Sequence, residues 1–245
     1  MLTASAVGLL LAVHLLAGRS SLFATRRYAW KSVAGGVGIS YAFLVLLPKI
    51  AAIQETLGAS SHQGLYAYLE HHAYVVALAG LVIYFGLDVA VERVLVMPER
   101  RRWKPAVTIL VVGHACGLSG YFLLIGFLLV ETPGDQPLSL ALFTVAMVIH
   151  FLAIDHGLRH KYGGLFDRTL RWVFAVATAL GAVLAITTEI SYEALALLNA
   201  LFAGMLVIAT IKEKIPGTAD ARFLPFLAGT IAYSVLLLLT EQLKL

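Results

Sequence analysis

Three ionisable side chains, His150, Asp155 and His156, fall in the second half of one apolar stretch, Leu138–His160 (LSLALFTVAMVIHFLAIDHGLRH). The apolar stretch before it, Ala106–Val130, carries His114. An ionisable group at membrane depth is costly and usually faces a protein interior or a wet cavity, so each of these is a functional-site candidate. The chemistry on offer is ligation. Neutral imidazole binds zinc, iron, copper and nickel, and a carboxylate adds the negative charge that a dication needs.

Spacing suggests which of them meet. His114 lies eight residues inside its run, roughly 12 Å deep at helical rise, and His150 twelve residues inside its own, roughly 18 Å. The two runs point in opposite directions across a core about 30 Å thick, so these depths nearly coincide. Antiparallel helices joined by the short turn Glu131–Pro137 are therefore expected to bring both imidazoles to one site, which His14 could join. Asp155 stands four residues before Arg159, so an intrahelical ion pair competes with a ligand role. His156 and His160 have the i, i+4 spacing of two ligands on one face, with His160 at the water interface. Asp88 and Glu92, one turn apart, either line an exit or pair with Arg93 and the arginines that follow. His62, Glu70, His71 and His72 form an exposed loop cluster that reads as solvated. The lone Cys116 cannot form an intrachain disulfide and is expected to be a small buried hydrophobe.

The elements that must position these residues follow from composition. The chain of 245 residues is 60% hydrophobic and 13% charged, with mean hydropathy +0.88, which marks an integral, multi-pass membrane protein in contact with the lipid bilayer. Eight apolar runs can be marked: Leu2–Ala17, Ser32–Ile53, Ala73–Val91, Ala106–Val130, Leu138–Leu158, Arg171–Thr187, Ala194–Ile211 and Phe223–Leu239. The first and sixth are short against the roughly 20 residues that a crossing needs. Loop charge supports the count, because 16 of the 18 basic residues fall in the loops after runs one, three, five and seven. Those loops are then cytoplasmic and both termini outside. Leu2–Ala17 lacks a basic start and has its arginines after it, the order of a retained helix rather than a signal peptide. The net charge of +4 sits in these loops and does not point to nucleic acid. Pro98–Lys104 (PERRRWK) reads as a topology signal with an interfacial Trp103, with anionic lipid as its other reading.

An internal echo links the two ends of the chain. Run three contains Leu78-Ala79-Gly80 and run eight Leu227-Ala228-Gly229, while Ala34-Gly35 in run two matches Ala203-Gly204 in run seven. The matched runs cross in opposite directions, as in inverted-topology repeats, which place a substrate site at the midplane. Close helix packing through small residues explains the same letters without a repeat.

With these residues in view, the chain resembles the ZIP (Zrt/Irt-like) divalent metal transporters over nearly its whole length. Ala34–Ile50 (AGGVGISYAFLVLLPKI) resembles the family's second helix, Ala79–Arg93 its third and Leu198–Pro216 its seventh. The family has eight spans, outside termini and three-plus-three inverted repeats flanking helices four and five. Its fourth helix carries a His-Asn-x-x-Asp-Gly type motif, and its fifth a His-Glu-x-Pro-His-Glu or His-Glu-x-Pro-Glu type motif. His114 and His150 match the leading histidines, and Asp155 the final acid of the longer motif. Ala115, Leu118 and Ser119 depart from the fourth-helix pattern, and Phe151, Ala153 and Ile154 from the fifth. Lys49 stands where the second helix often has Glu. These departures rule out a carboxylate-bridged two-metal site and leave at most one histidine-rich, mononuclear one.

The resemblance implies an all-α, 3+2+3 membrane domain over residues 1–245 that moves a divalent cation of the zinc, iron or manganese class. Its ligands would come from His114, His150, Asp155, His156 and His14, and no resident cofactor is implied. Two alternatives stay open: a divergent ZIP-fold protein with a non-metal solute or a regulatory role, and a haem protein with His114 and His150 as axial ligands. No Ser–His or paired-Asp constellation suggests an enzyme, and no phosphate-binding glycine loop suggests ATP-driven pumping. The expected setting is the plasma (inner) membrane, with a homodimer kept open.

Overall fold

In lipid an apolar segment satisfies its backbone polar groups internally, and for a single segment that means an α-helix. The computed structural model describes residues 2–16, 27–57, 72–96, 104–131, 137–214 and 222–242, which are helical apart from short turns, with no strand among them. The loop residues Arg19, Arg26, Arg100, Arg101, Arg102 and Trp103, the outer residues His62, Glu70 and His71, and the turn residues 132–136 lie outside the described residues.

Among the described residues eight rods follow in chain order. Helix α1 is Leu2–Leu16. Helix α2 runs over Arg27–Tyr41, passes through a π-helical turn at Ala42–Leu46 and continues over Leu47–Leu57. Then come α3 (Ala73–Val96), α4 (Lys104–Glu131) and α5 (Pro137–Tyr162). Helix α6 enters through a π turn at Phe166–Leu170 and runs over Arg171–Thr187, and α7 (Tyr192–Lys214) and α8 (Phe223–Gln242) complete the bundle. Six segments are long and apolar enough to cross a membrane, while α1 and α8 give shorter apolar helices. The sixth run, short when read as Arg171–Thr187, gains its entering π turn and becomes a segment of 22 residues, Phe166–Thr187.

The irregular turns have local causes. Pro48 has no N–H for the carbonyl four residues earlier, and its ring crowds that carbonyl. The widened turn just before it absorbs the clash, with the Leu47 N–H reaching back to Ala42 O. Helix α5 ends on Gly163 at φ 52°, the left-handed position that glycine takes without strain. Arg159 Nε then donates to Asp167 Oδ1 at 3.0 Å, stitching α5 to the entrance of α6. Arg159 is therefore the partner of Asp167 and not of Asp155. At the start of α7 the Ala194 N–H donates to Ser191 Oγ at 3.2 Å, an N-cap bond.

Three helix pairs meet backbone to backbone, each through reciprocal glycines. On α3 and α7, Gly80 abuts the Leu201 carbonyl and Gly204 the Ala77 carbonyl; on α2 and α8, Gly36 abuts the Phe226 carbonyl and Gly229 that of Val33. On α4 and α6, Gly126 abuts the Thr178 carbonyl and Gly181 that of Leu123. A β-carbon at any of these would collide with main chain, so the small residues allow the close approach that binds helices in lipid. The pairings sort the rods into two groups: α1, α4, α5 and α6 pack chiefly on one another, as do α2, α3, α7 and α8. The seam between the groups runs along α3–α4, α2–α5 and α7 against α4 and α5.

Candidate functional site

The centre of the bundle is a layer where α4 faces α5. The Tyr121 hydroxyl and His150 Nε2 share a hydrogen bond of 2.6 Å, and one residue further along each helix the Phe122 and Phe151 rings meet edge-on at 4.9 Å. Ile125 and Ile154, one turn further again, are fully buried. The layer is dry and mostly aromatic, with one polar pair whose two members satisfy each other.

Against this layer sits His14 of α1. Its Nδ1 lies 2.9 Å from Asp155 Oδ2, and both side chains are wholly buried. Its Nε2 lies 3.5 Å from the Thr178 hydroxyl on α6. Phe122 and Phe151 stand 4.6 Å from the imidazole, and Phe174 closes a third side at 6.3 Å. Among the described residues the second carboxylate oxygen, Asp155 Oδ1, has no hydrogen-bond partner.

A separate ionic cluster lies towards the ends of α3, α4, α5 and α7. His114 Nε2 is 3.4 Å from Asp88 Oδ1, which leaves its Nδ1 to accept the Tyr162 hydroxyl at 2.6 Å. Asp88 also accepts from Lys161 and from Lys212, and Lys212 reaches Glu92 at 3.1 Å. Asp88 thus pairs with lysines rather than with Arg93 or its neighbours. A single α3 carboxylate ties together α4, α5 and α7, across the seam between the two groups of helices.

The five predicted ligands are therefore distributed rather than gathered. His14 and Asp155 meet; His150 bonds Tyr121; His114 belongs to the Asp88 cluster. His156 packs its ring against Trp30 at 5.8 Å and against His160 at 5.2 Å. The expected meeting of His114 and His150 does not occur. His114 precedes Tyr121, the residue opposite His150, by seven positions, about 10 Å of helix. The depth estimate erred because it started both helices at the hydrocarbon edge, whereas α4 has 28 residues and α5 has 26, so both overrun the core. Among the described residues no group of three or more His, Cys, Asp or Glu side chains is placed to hold a metal ion. Cys116, expected to be buried, is exposed on α4.

Tyr121, Tyr162 and Thr178 escaped the sequence reading because hydroxyls in apolar helices are common; Lys161 and Lys212 were read only as topology charges. Between α3, α4 and α7 lies a cavity of about 310 Å³ with an almost wholly apolar lining that includes Tyr84, Leu87, His114, Leu118, Tyr121 and Leu201. Compared with protein-family models, with characterised proteins and with solved structures, the chain finds no significant match.

Proposed function

We propose that the chain is a membrane transporter of ZIP-like fold whose midplane metal position is closed, and that it carries an uncharged solute instead of a divalent cation. The observation that carries the fold reading is a residue-by-residue correspondence between the two ends. Gly36 meets Phe226 O and Thr230 N, while Gly204 meets Ala77 O and Leu81 N; Gly229 meets Val33 O, while Gly80 meets Leu201 O. Exchanging α2 with α7 and α3 with α8 turns each of these contacts into the other. Extending the exchange to α1 with α6 and α4 with α5 maps α4–α6 packing onto α5–α1 packing, and α2–α5 onto α7–α4. That is the pattern of a three-plus-three inverted repeat around a central pair. It argues for eight crossings, with α1 and α8 in the same layer as the longer helices, and with loop charge both termini are outside.

The same exchange sets Tyr121 against His150 and Phe122 against Phe151. The family's fourth-helix spacing then fits Tyr121-Phe122-Leu123-Leu124-Ile125-Gly126, seven residues beyond His114, with Gly126 in the glycine position. The ligand positions of both central helices become Tyr121, Phe122 and Ile125 facing His150, Phe151 and Ile154. Phenyl and sec-butyl groups offer no lone pair, and a dication in a dry site needs compensating charge. The apolar cavity on the seam supplies a solute-sized space instead.

Flux of zinc, iron and manganese into proteoliposomes tests the metal half of this reading. Flux equal to that of empty vesicles is expected. Saturable uptake that His150→Ala abolishes would restore a dication as cargo. Labelling of cysteines introduced at the two termini tests the topology: both are expected to react from outside in intact cells.

A further inference from the structure

The His14–Asp155 pair is the most expensive feature of the interior, and packing does not require it. Under the exchange described above, Asp155 on α5 corresponds to Gly126 on α4, and α1, which carries His14, to α6, which carries Thr178. Where α4 meets α6, the contact is a glycine against the Thr178 backbone, with no ionisable group. Where α5 meets α1, the equivalent place holds a carboxylate and an imidazole, both wholly buried. A buried ionisable pair rarely stabilises a fold relative to apolar residues of similar volume, so its presence asks for another explanation. If the repeat is absent only this asymmetry lapses, because the proton count that follows depends on local hydrogen bonds alone.

The hydrogens can be counted. The Thr178 hydroxyl donates to Phe174 O at 3.0 Å and turns a lone pair towards His14 Nε2, 3.5 Å away. On the other side of the ring, Nδ1 and Asp155 Oδ2 lie 2.9 Å apart, a distance that requires a hydrogen between them. One further proton on imidazole plus carboxylate removes the net negative charge that a buried apolar layer penalises. Written as imidazolium–carboxylate or as imidazole–carboxylic acid, that protonated pair is neutral overall, and the proton belongs to the pair rather than to either residue. The bare Asp155 Oδ1 adds to the cost of an ionised carboxylate in this apolar layer.

Among the described residues the immediate surroundings contribute no charge. Helix α4 presents Phe122, α5 presents Phe151 beside Asp155 itself, and α6 presents Phe174 and Thr178. The next titratable groups, Tyr121 and His150, lie behind Phe122 and Phe151 and are bonded to each other. Two hydrogen-bonding side chains, approached among the described residues by the Thr178 hydroxyl at 3.5 Å, suit a proton and no larger cation.

We propose that His14 and Asp155 form a proton-binding site at the centre of the bundle, through which transport by this protein is coupled to the proton gradient. Uptake converts imidazole plus carboxylate into the neutral pair by forming one N–H or O–H bond, with the proton supplied by water on one side. Release to water on the other side breaks that bond. No other bond changes and no oxidant is involved. Opening the α1–α5 contact to water on either face is the step that would exchange the proton.

The test uses the full chain in lipid nanodiscs, labelled with 15N at histidine, with the His14 nitrogen shifts and the carboxylic C=O infrared band followed over roughly pH 5 to 9. One proton equivalent is expected to leave the pair within this range, with the infrared band absent from Asp155→Asn. His14→Gln keeps a hydrogen-bonding neighbour for Asp155 and should also lose the imidazole signal and the coupled step. It gives the answer if Asp155→Asn is not recovered folded. Signals of the pair that stay unchanged across the whole range would make it a static structural contact and overturn the proposal. So would binding of one zinc ion per chain that disappears in His14→Gln. Metal flux is measured separately, so failure of the proton site is distinguishable from failure of the ZIP-like reading.

Discussion

Gly204→Ala is the smallest perturbation that reaches the architecture. A β-carbon on Gly204 would stand 2.6 Å from the Ala77 carbonyl carbon, closer still to its oxygen, and 3.0 Å from Leu81 N. Carbon atoms in good contact sit about 3.5–4.0 Å apart, so α3 and α7 must separate by about 1 Å along the length of their contact. Both obstacles are main chain and cannot swing aside. Overpacking of this kind costs typically 1–3 kcal/mol, and with loss of the reciprocal Gly80 contact we expect about 2–4 kcal/mol. Gly86 and Gly113 are built-in controls, because a β-carbon on either meets nothing within 4 Å. Alanine there should stabilise by up to about 1 kcal/mol through helix propensity. The assay is reversible unfolding in detergent followed by circular dichroism. Gly36→Ala, the proposed counterpart on α2, should match Gly204→Ala within about 1 kcal/mol. A Gly204→Ala protein as stable as Gly86→Ala would refute the backbone contact, and with it the main support for the repeat.

Other expectations follow from single contacts. Asp88→Asn leaves Lys161 and Lys212 without their shared carboxylate and should cost about 2–4 kcal/mol at neutral pH, measured by the same unfolding assay. Adding Lys212→Met should recover part of that loss, whereas additive costs would mean the two groups are not coupled. Tyr121→Phe removes one hydroxyl from the central layer, and with it the bond to His150 Nε2, and should cost about 1–3 kcal/mol without changing helix content. Cys116, exposed on a helix long and apolar enough to cross a membrane, should react with a lipid-soluble maleimide and resist a membrane-impermeant one; equal labelling by both would place that face in water.

The helices were legible because each is a continuous apolar run, and their observed bounds lie within five residues of the marked runs at either end. The echo was legible too: Gly80 and Gly229 both lie against a partner backbone. On α2 the glycine set against the Phe226 carbonyl is Gly36, next to the Gly35 of the echo, and sequence similarity cannot tell which of two adjacent glycines faces a neighbour. Relative sliding of α4 and α5 was not legible at all. Depth counted from run ends carries an error of a turn or more, and the register is fixed by the meetings of Tyr121 with His150 and of Phe122 with Phe151. His14 and Asp155, 141 positions apart, were both singled out by burial cost, yet nothing in either segment names the other as partner.

We propose a ZIP-like bundle in which aromatic and aliphatic side chains occupy the family's metal position. Metal content of the purified chain, measured by elemental analysis after exposure to zinc, iron and manganese and removal of free ions, tests it most directly. The account predicts far less than one equivalent per chain, unchanged in His150→Ala. One tightly held equivalent that is lost in that variant would contradict it.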